Sequence, residues 1–232
     1  MFWRIFMRLA LTPLATLLIL SLAGCGSTES IKPPTQTQTA IVQGDATTIF
    51  WLDERQGFPE ILSERVLMGD YGQYSTEYRW RKGIVREIHR DGEVMMDGKL
   101  THQSFVIRYD SEGQAVYQQN RLDGDMRPLR NTDLARYYQQ AEQALIQARE
   151  LKKNGQLFFQ GYWSEGILDE CDTGREKKLS FEVALPNFIV QRLNQEDNFI
   201  AAVGNVGRKT NTVDAIIALN NDSEDCFERP TF

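Results

Sequence analysis

Five dipeptides constrain the fold of this chain most: Lys82-Gly83, Asp91-Gly92, Asp97-Gly98, Glu112-Gly113 and Asp123-Gly124. A glycine behind a polar residue, between apolar runs, marks a tight hairpin turn. The runs between these turns alternate. Tyr78 and Trp80 fall on one face with Arg79 and Arg81 on the other, and Phe105, Ile107 and Tyr109 keep a period of two. Ile84 and Ile88 alternate only weakly about Arg86. Period two puts every second side chain on the same face of a strand. Upstream, Thr48 to Leu52 is β-branched and aromatic, and the run from Ile61 to Met68 reads as the next strand. Residues 47–129 are therefore expected to form an antiparallel meander with one solvated face.

The period then changes. Leu134, Tyr138, Ala141, Leu145, Ala148 and Leu151 recur three or four apart, which predicts a helix over about 132–153. Asn131 or Thr132 is expected to cap its start, with Asp133 at the positive end of the dipole. Lys152 and Lys153 suit the other end, and Asn154-Gly155 suits a left-handed stop. An apolar stripe with several alanines is expected to pack on the chain's own sheet. After Gly155, strands are expected at 157–162, 167–171, 179–183, 188–193, 199–203 and 213–219. They read as a small antiparallel sheet or barrel, with an OB-like barrel as one form. The expected class is α+β: meander 47–129, helix segment 130–155 and C-terminal β module 156–232, with a loose tail from Glu228 to Phe232.

The first 25 residues have another character. Arg4 and Arg8 precede an apolar run from Leu9 to Leu22, which closes on Leu22-Ala23-Gly24-Cys25. A positive n-region, an apolar h-region and small residues before a cut define a secretory signal. The closing tetrapeptide looks like a bacterial lipobox. Residues 1–24 are thus read as a lipoprotein signal peptide, and Cys25 as the lipidated residue, acylated by fatty acids such as palmitate. The run is interrupted by Pro13 and falls short of the roughly 20 apolar residues of a membrane span. Residues 26–40 are polar and carry Pro33-Pro34, so 25–46 is expected to be the lipidated cysteine and a flexible tether. Gly26, where an aspartate would favour inner-membrane retention, implies a lipid anchor on the periplasmic face of the outer membrane.

Charge narrows the partners. The formal net charge is −6, and removing the signal removes two arginines and no acid. With no basic stripe in the sequence, nucleic acid is not an expected partner, nor are anionic headgroups through the folded part. Of three cysteines, Cys171 and Cys226 remain after Cys25. An even number in an exported chain favours one disulfide between them. With two histidines and no Cys-x-x-Cys, neither a zinc site nor another cofactor is expected.

Several segments in order resemble the YjaH-type lipoproteins of enteric bacteria and vibrios. They are Thr76-Glu77-Tyr78-Arg79-Trp80, Tyr109-Asp110-Ser111-Glu112-Gly113, the Tyr137 helix with Ala141-Glu142-Gln143, Gly161-Tyr162-Trp163 before Cys171, and Asp225-Cys226. The resemblance spans most of residues 70–230. It implies an uncharacterised envelope lipoprotein and transfers no catalytic residue.

Residues capable of chemistry are scattered. Gly161-Tyr-Trp-Ser164-Glu-Gly166 resembles a nucleophile elbow with one residue too many, and no helix follows. His89, with Glu87 on its strand face, and His102 are the candidates for a general base, and a solvated strand surface accounts for both. Asp169, Glu170, Asp172, Asp222, Glu224 and Asp225 would meet across the disulfide. They supply oxygens for a hard cation but lack the glycine and distal glutamate of an EF-hand loop. Trp51, Trp80, Trp163, Phe158 and Phe159 suit either two small cores or a curved sheet holding an apolar ligand. The expected function is a non-catalytic envelope protein that binds a protein or the cell wall. The alternatives are a carrier of a lipid or lipoprotein, and a hydrolase using His89 or Ser164.

Overall fold

The computed structural model describes residues 32–182 and 184–232. The signal segment, Cys25 and the first residues of the expected tether lie outside them. Thirteen strands and two α-helices are described. They are β1 (Thr35–Gln43), β2 (Ala46–Arg55), β3 (Phe58–Leu67), β4 (Gly72–Arg81), β5 (Ile84–Met96), β6 (Lys99–Tyr109), β7 (Ala115–Leu122), β8 (Asp125–Met126), α1 (Asn131–Lys153), β9 (Leu157–Ser164), β10 (Ile167–Glu170), β11 (Glu176–Phe181), α2 (Asn187–Gln195), β12 (Asn198–Val206) and β13 (Thr210–Asn221).

Strands β1 to β8 pair in chain order, all antiparallel. Strand β9 pairs with both β10 and β12, so β9-β10-β11-β13-β12 closes on itself as a five-stranded barrel. The barrel joins the meander through one bridge, Thr39 to Leu157. The α+β expectation of a meander, one long helix and a small antiparallel sheet or barrel, OB-like as one form, is therefore corrected in its class and layout. The protein is mostly β, with a closed barrel, a parallel β11–β13 pair and a second helix. Closure removes the open edges that a small separate sheet would leave.

Four further expectations are corrected. The meander starts at Thr35 rather than 47, inside the expected tether: Thr35 to Gln43 pairs residue by residue with β2. Its alternating Thr and Gln read as polar linker, yet they are strand-competent once an adjacent strand supplies the ladder. Asp91-Gly92 is no turn, because β5 runs straight through it. At Gly92 (φ +151) a Cβ would lie 2.4 Å from Tyr74 Cα, so the glycine permits close approach of β4 and β5. Residues 188–193 are helical, within α2. The segment 228–232 is not loose, and Pro230 is buried.

Helix α1 matches its expected span to within a residue. Its first residue follows Arg130, whose backbone N–H donates to Asp133 Oδ2 at 3.3 Å. Neither Asn131 nor Thr132 is the cap. At the other end Gly155 (φ +75) lets its own N–H reach Lys152 O and the Gln156 N–H reach Leu151 O, a Schellman stop.

Three cores result. The concave face of the meander buries Phe50, Leu52, Leu62, Tyr78, Trp80, Ile88, Phe105, Ile107 and Tyr109 against Leu134, Tyr137, Ala141, Ala144, Leu145, Ala148 and Leu151 of α1. A junction core joins Ile49 and Trp51 to Phe158, Phe199 and Val203, with Cys171, Cys226 and Phe227 packed against it. The barrel interior holds Phe159, Trp163, Leu168, Ile200 and Val213, with Leu193 and Ile189 of α2.

Candidate functional site

Strand alternation sends Phe105 and Ile107 to the concave face. It sends Glu77, Arg79, Glu87, His89, Val106 and Arg108 to the convex one. There His89 Nε2 lies 2.9 Å from Glu87 Oε1. Arg108 donates from Nε to Glu87 Oε2, and Arg79 donates to Glu77 Oε1 at 2.6 Å. Burial pushes the Glu87 carboxyl up, but the Arg108 hydrogen bond and the adjacent His89 outweigh it and hold the group below its ordinary value of 4.5. Beside this network lies a cleft of about 250 Å³ lined by His89, Asp91, Ser104, Val106, Gln119, Arg121 and Phe232.

Phe232 reaches the cleft because residues 227–232 cross the convex face. Gln160 grips the start of this segment twice: its Nε2 donates to Phe227 O at 2.8 Å, and the Phe227 N–H donates to its Oε1 at 2.7 Å. Arg229 donates to Asp53 Oδ2 at 2.7 Å and to Ser63 Oγ at 3.0 Å. The Phe232 ring then stands edge-on to His89, with centroids 5.9 Å apart. Just before this segment, Cys226 forms a disulfide with Cys171 across a Cα distance of 6.3 Å.

The other sequence candidates fall in separate places. His102 Nε2 lies 3.4 Å from Asp91 Oδ2. Ser164 ends β9 at a turn where Glu165 and Gly166 both have positive φ (49° and 84°), so it sits in a hairpin rather than a strand-to-helix elbow. The acidic residues near the disulfide are not gathered. Glu170 accepts from Asn211 Nδ2 and Thr173 Oγ1, Asp172 accepts from Gln38, and Asp222, Glu224 and Asp225 are exposed. Among the described residues no cluster of His, Cys, Asp and Glu has the geometry of a metal site. The aromatic candidates divide among the cores: Trp80 under α1, Trp51 against Phe158, and Phe159 with Trp163 inside the barrel.

One group escaped sequence reading. Glu64 and Arg90 are buried on the concave face, with Arg90 Nη2 3.6 Å from Glu64 Oε1. The Tyr78 hydroxyl donates to Glu64 Oε1 at 2.8 Å, and Arg90 Nε donates to Thr76 Oγ1 at 2.9 Å. The Arg90 guanidinium lies 4.2 Å from the Tyr74 ring centroid, a cation–π contact. Burial, then the neighbouring Glu64, pushes the Tyr78 hydroxyl well above its ordinary pKa, so Tyr78 stays a donor. The period of two carried the signal: Arg90 follows Ile88 and Glu64 follows Leu62 on the same strand faces.

A family model described as a protein of unknown function, DUF1481, matches residues 39–231. No curated protein and no solved structure matches the chain.

Proposed function

Because the chain belongs to the DUF1481 family, we propose a function from its own residues: a YjaH-type lipoprotein, anchored to the outer membrane through Cys25 and working in the periplasm by binding. The occupant of its convex face is an envelope protein or the cell wall. The observation that carries this reading is the Cys171–Cys226 disulfide, because such bonds persist in exported proteins and are rare in reducing compartments. It agrees with the signal and lipobox ending at Cys25. The convex face offers Arg121 and an aromatic wall, Phe232, in the cleft, beside the Arg79 and Arg108 ion pairs with Glu77 and Glu87, a mixture suited to a polar partner.

The test has two parts. Cys25→Ser is expected to abolish palmitate labelling and release the protein from the outer-membrane fraction. Retention there with continued labelling defeats the anchor. Crosslinking in intact cells through a photoreactive residue at Gln119 is expected to capture an envelope protein or peptidoglycan. Capture of lipid instead would favour the carrier reading.

A further inference from the structure

We propose that a second cleft, between the β4–β5 hairpin and the β6–β7 turn, binds a phosphate group. This cleft of about 320 Å³ is lined by Arg81, Lys82, Ile84, Arg86 and Ser111. Three cations line it in a chain whose net charge is −6. Among the described residues, none of the three has an ion-pair partner.

The backbone presents each of them. Lys82 and Gly83 both have positive φ (55° and 77°), the two-residue turn that matches strand twist, and Lys82 stands at its tip. Arg79 pairs with Glu87 and Trp80 with Val85, so Arg86 is the extra residue of a bulge. Bulges re-aim side chains. Here Arg86 Nε donates to Tyr109 O at 2.8 Å, which fixes the guanidinium across the strand ends toward the cleft. Opposite, Asp110 Oδ1 accepts from the N–H groups of Glu112 and Gln114. That carboxylate is turned into its own loop, and the Ser111 hydroxyl is left at the cleft. Two guanidinium groups, an ammonium and a hydroxyl beside the apolar Ile84 suit a compact multivalent oxyanion, which arginine binds with paired N–H donors.

The anion could be a free phosphate or phosphomonoester, or the headgroup of an anionic lipid. The acidic surface elsewhere repels an extended anionic sheet but acts on a small anion only within a Debye length, about 8 Å at physiological salt. The site does not depend on the anchor at Cys25, so its failure and that of the anchor are separate results.

The experiment titrates the full chain in neutral detergent with inorganic phosphate, and separately with dihexanoyl phosphatidylglycerol against dihexanoyl phosphatidylcholine. Calorimetry and the arginine Nε–H NMR signals report binding. Saturable binding is expected to move the Arg86 signal, and Arg86→Gln is expected to weaken it roughly tenfold, the loss of one charge-assisted contact. Lys82→Gln, expected to weaken it about threefold, guards against misfolding, since Gln56 holds the same left-handed turn position (φ +53) before Gly57. Binding of inorganic phosphate assigns the free anion, and binding of phosphatidylglycerol alone assigns the headgroup. No binding of either anion, or equal binding by wild type and both variants, overturns the proposal.

Discussion

The meander and the barrel each bury a helix, in opposite ways. Helix α1 lies across an open concave face and buries seven residues along its length. Helix α2 is short and sends Ile189 and Leu193 into a closed barrel while Phe188 stays largely exposed. An open sheet needs a long amphipathic cover, whereas a closed barrel needs only a plug. The meander thus rests on helix-to-sheet packing. The barrel rests on closure and on the disulfide at its junction with the segment 227–232.

The largest expected effect tests the barrel's share. The Cys171–Cys226 bond spans 55 positions, and chain entropy assigns roughly 4 kcal/mol to a loop of that size. The double variant Cys171→Ser, Cys226→Ser should lose about that much in denaturant unfolding, with amide exchange rising first in β9 to β13. Equal exchange gains in β3 to β6 would break the contrast. Next comes the meander. Leu145 is 5% exposed under the concave face, so Leu145→Ala should cost about 3 kcal/mol, within the range for buried leucines, with exchange rising in α1 and β4 to β6. A loss confined to the barrel would reverse the assignment.

The smallest effect is electrostatic. The Glu87 carboxyl titrates below its ordinary value of 4.5 in the folded protein. The folded state therefore holds this proton less tightly than the unfolded chain. The stabilisation is complete above the unfolded value and is lost as pH falls through the folded one. Glu87→Gln should flatten the acid limb of the stability curve below about pH 4.5 and leave its shape near pH 7 unchanged. An unchanged acid limb would remove Glu87 from the convex-face network.

What the sequence showed follows the same contrast. Regular periods were legible: the Phe105-Ile107-Tyr109 alternation and the α1 stripe both lie where their spacing puts them. The stripe read from the sequence held Tyr138, yet Tyr137 is the buried one and Tyr138 only partly so, because the two straddle the edge of one apolar arc. Tertiary context hid the rest. Phe188-Ile189-Val190 has strand-like composition, but it starts beside Pro186 and becomes helical when Ile189 and Leu193 share the barrel interior. Gly92 looked like a turn because close approach to Tyr74 is invisible in one strand alone. Arg229 gave no sign of its partners, which are 166 and 176 positions away. The cationic cleft was hidden by averaging: net charge counts Arg81, Lys82 and Arg86 but not their shared position at one end of the sheet.

The clasp of residues 227–232 also sets an order of events in folding. Hairpins β1 to β8 are local and can zip as the chain emerges. Asp53 and Ser63 receive Arg229 only after nearly all of the intervening chain is available, and loop closure over such distances is the slow, entropically costly part of folding. Any state in which the meander has formed and the barrel has not would leave the convex face uncovered, because Arg229 reaches Asp53 and Ser63 from the far end of the chain. Such a state would also expose Trp51 and the junction core, and the Cys171–Cys226 bond, set immediately before residue 227, ties the start of the clasp to the barrel.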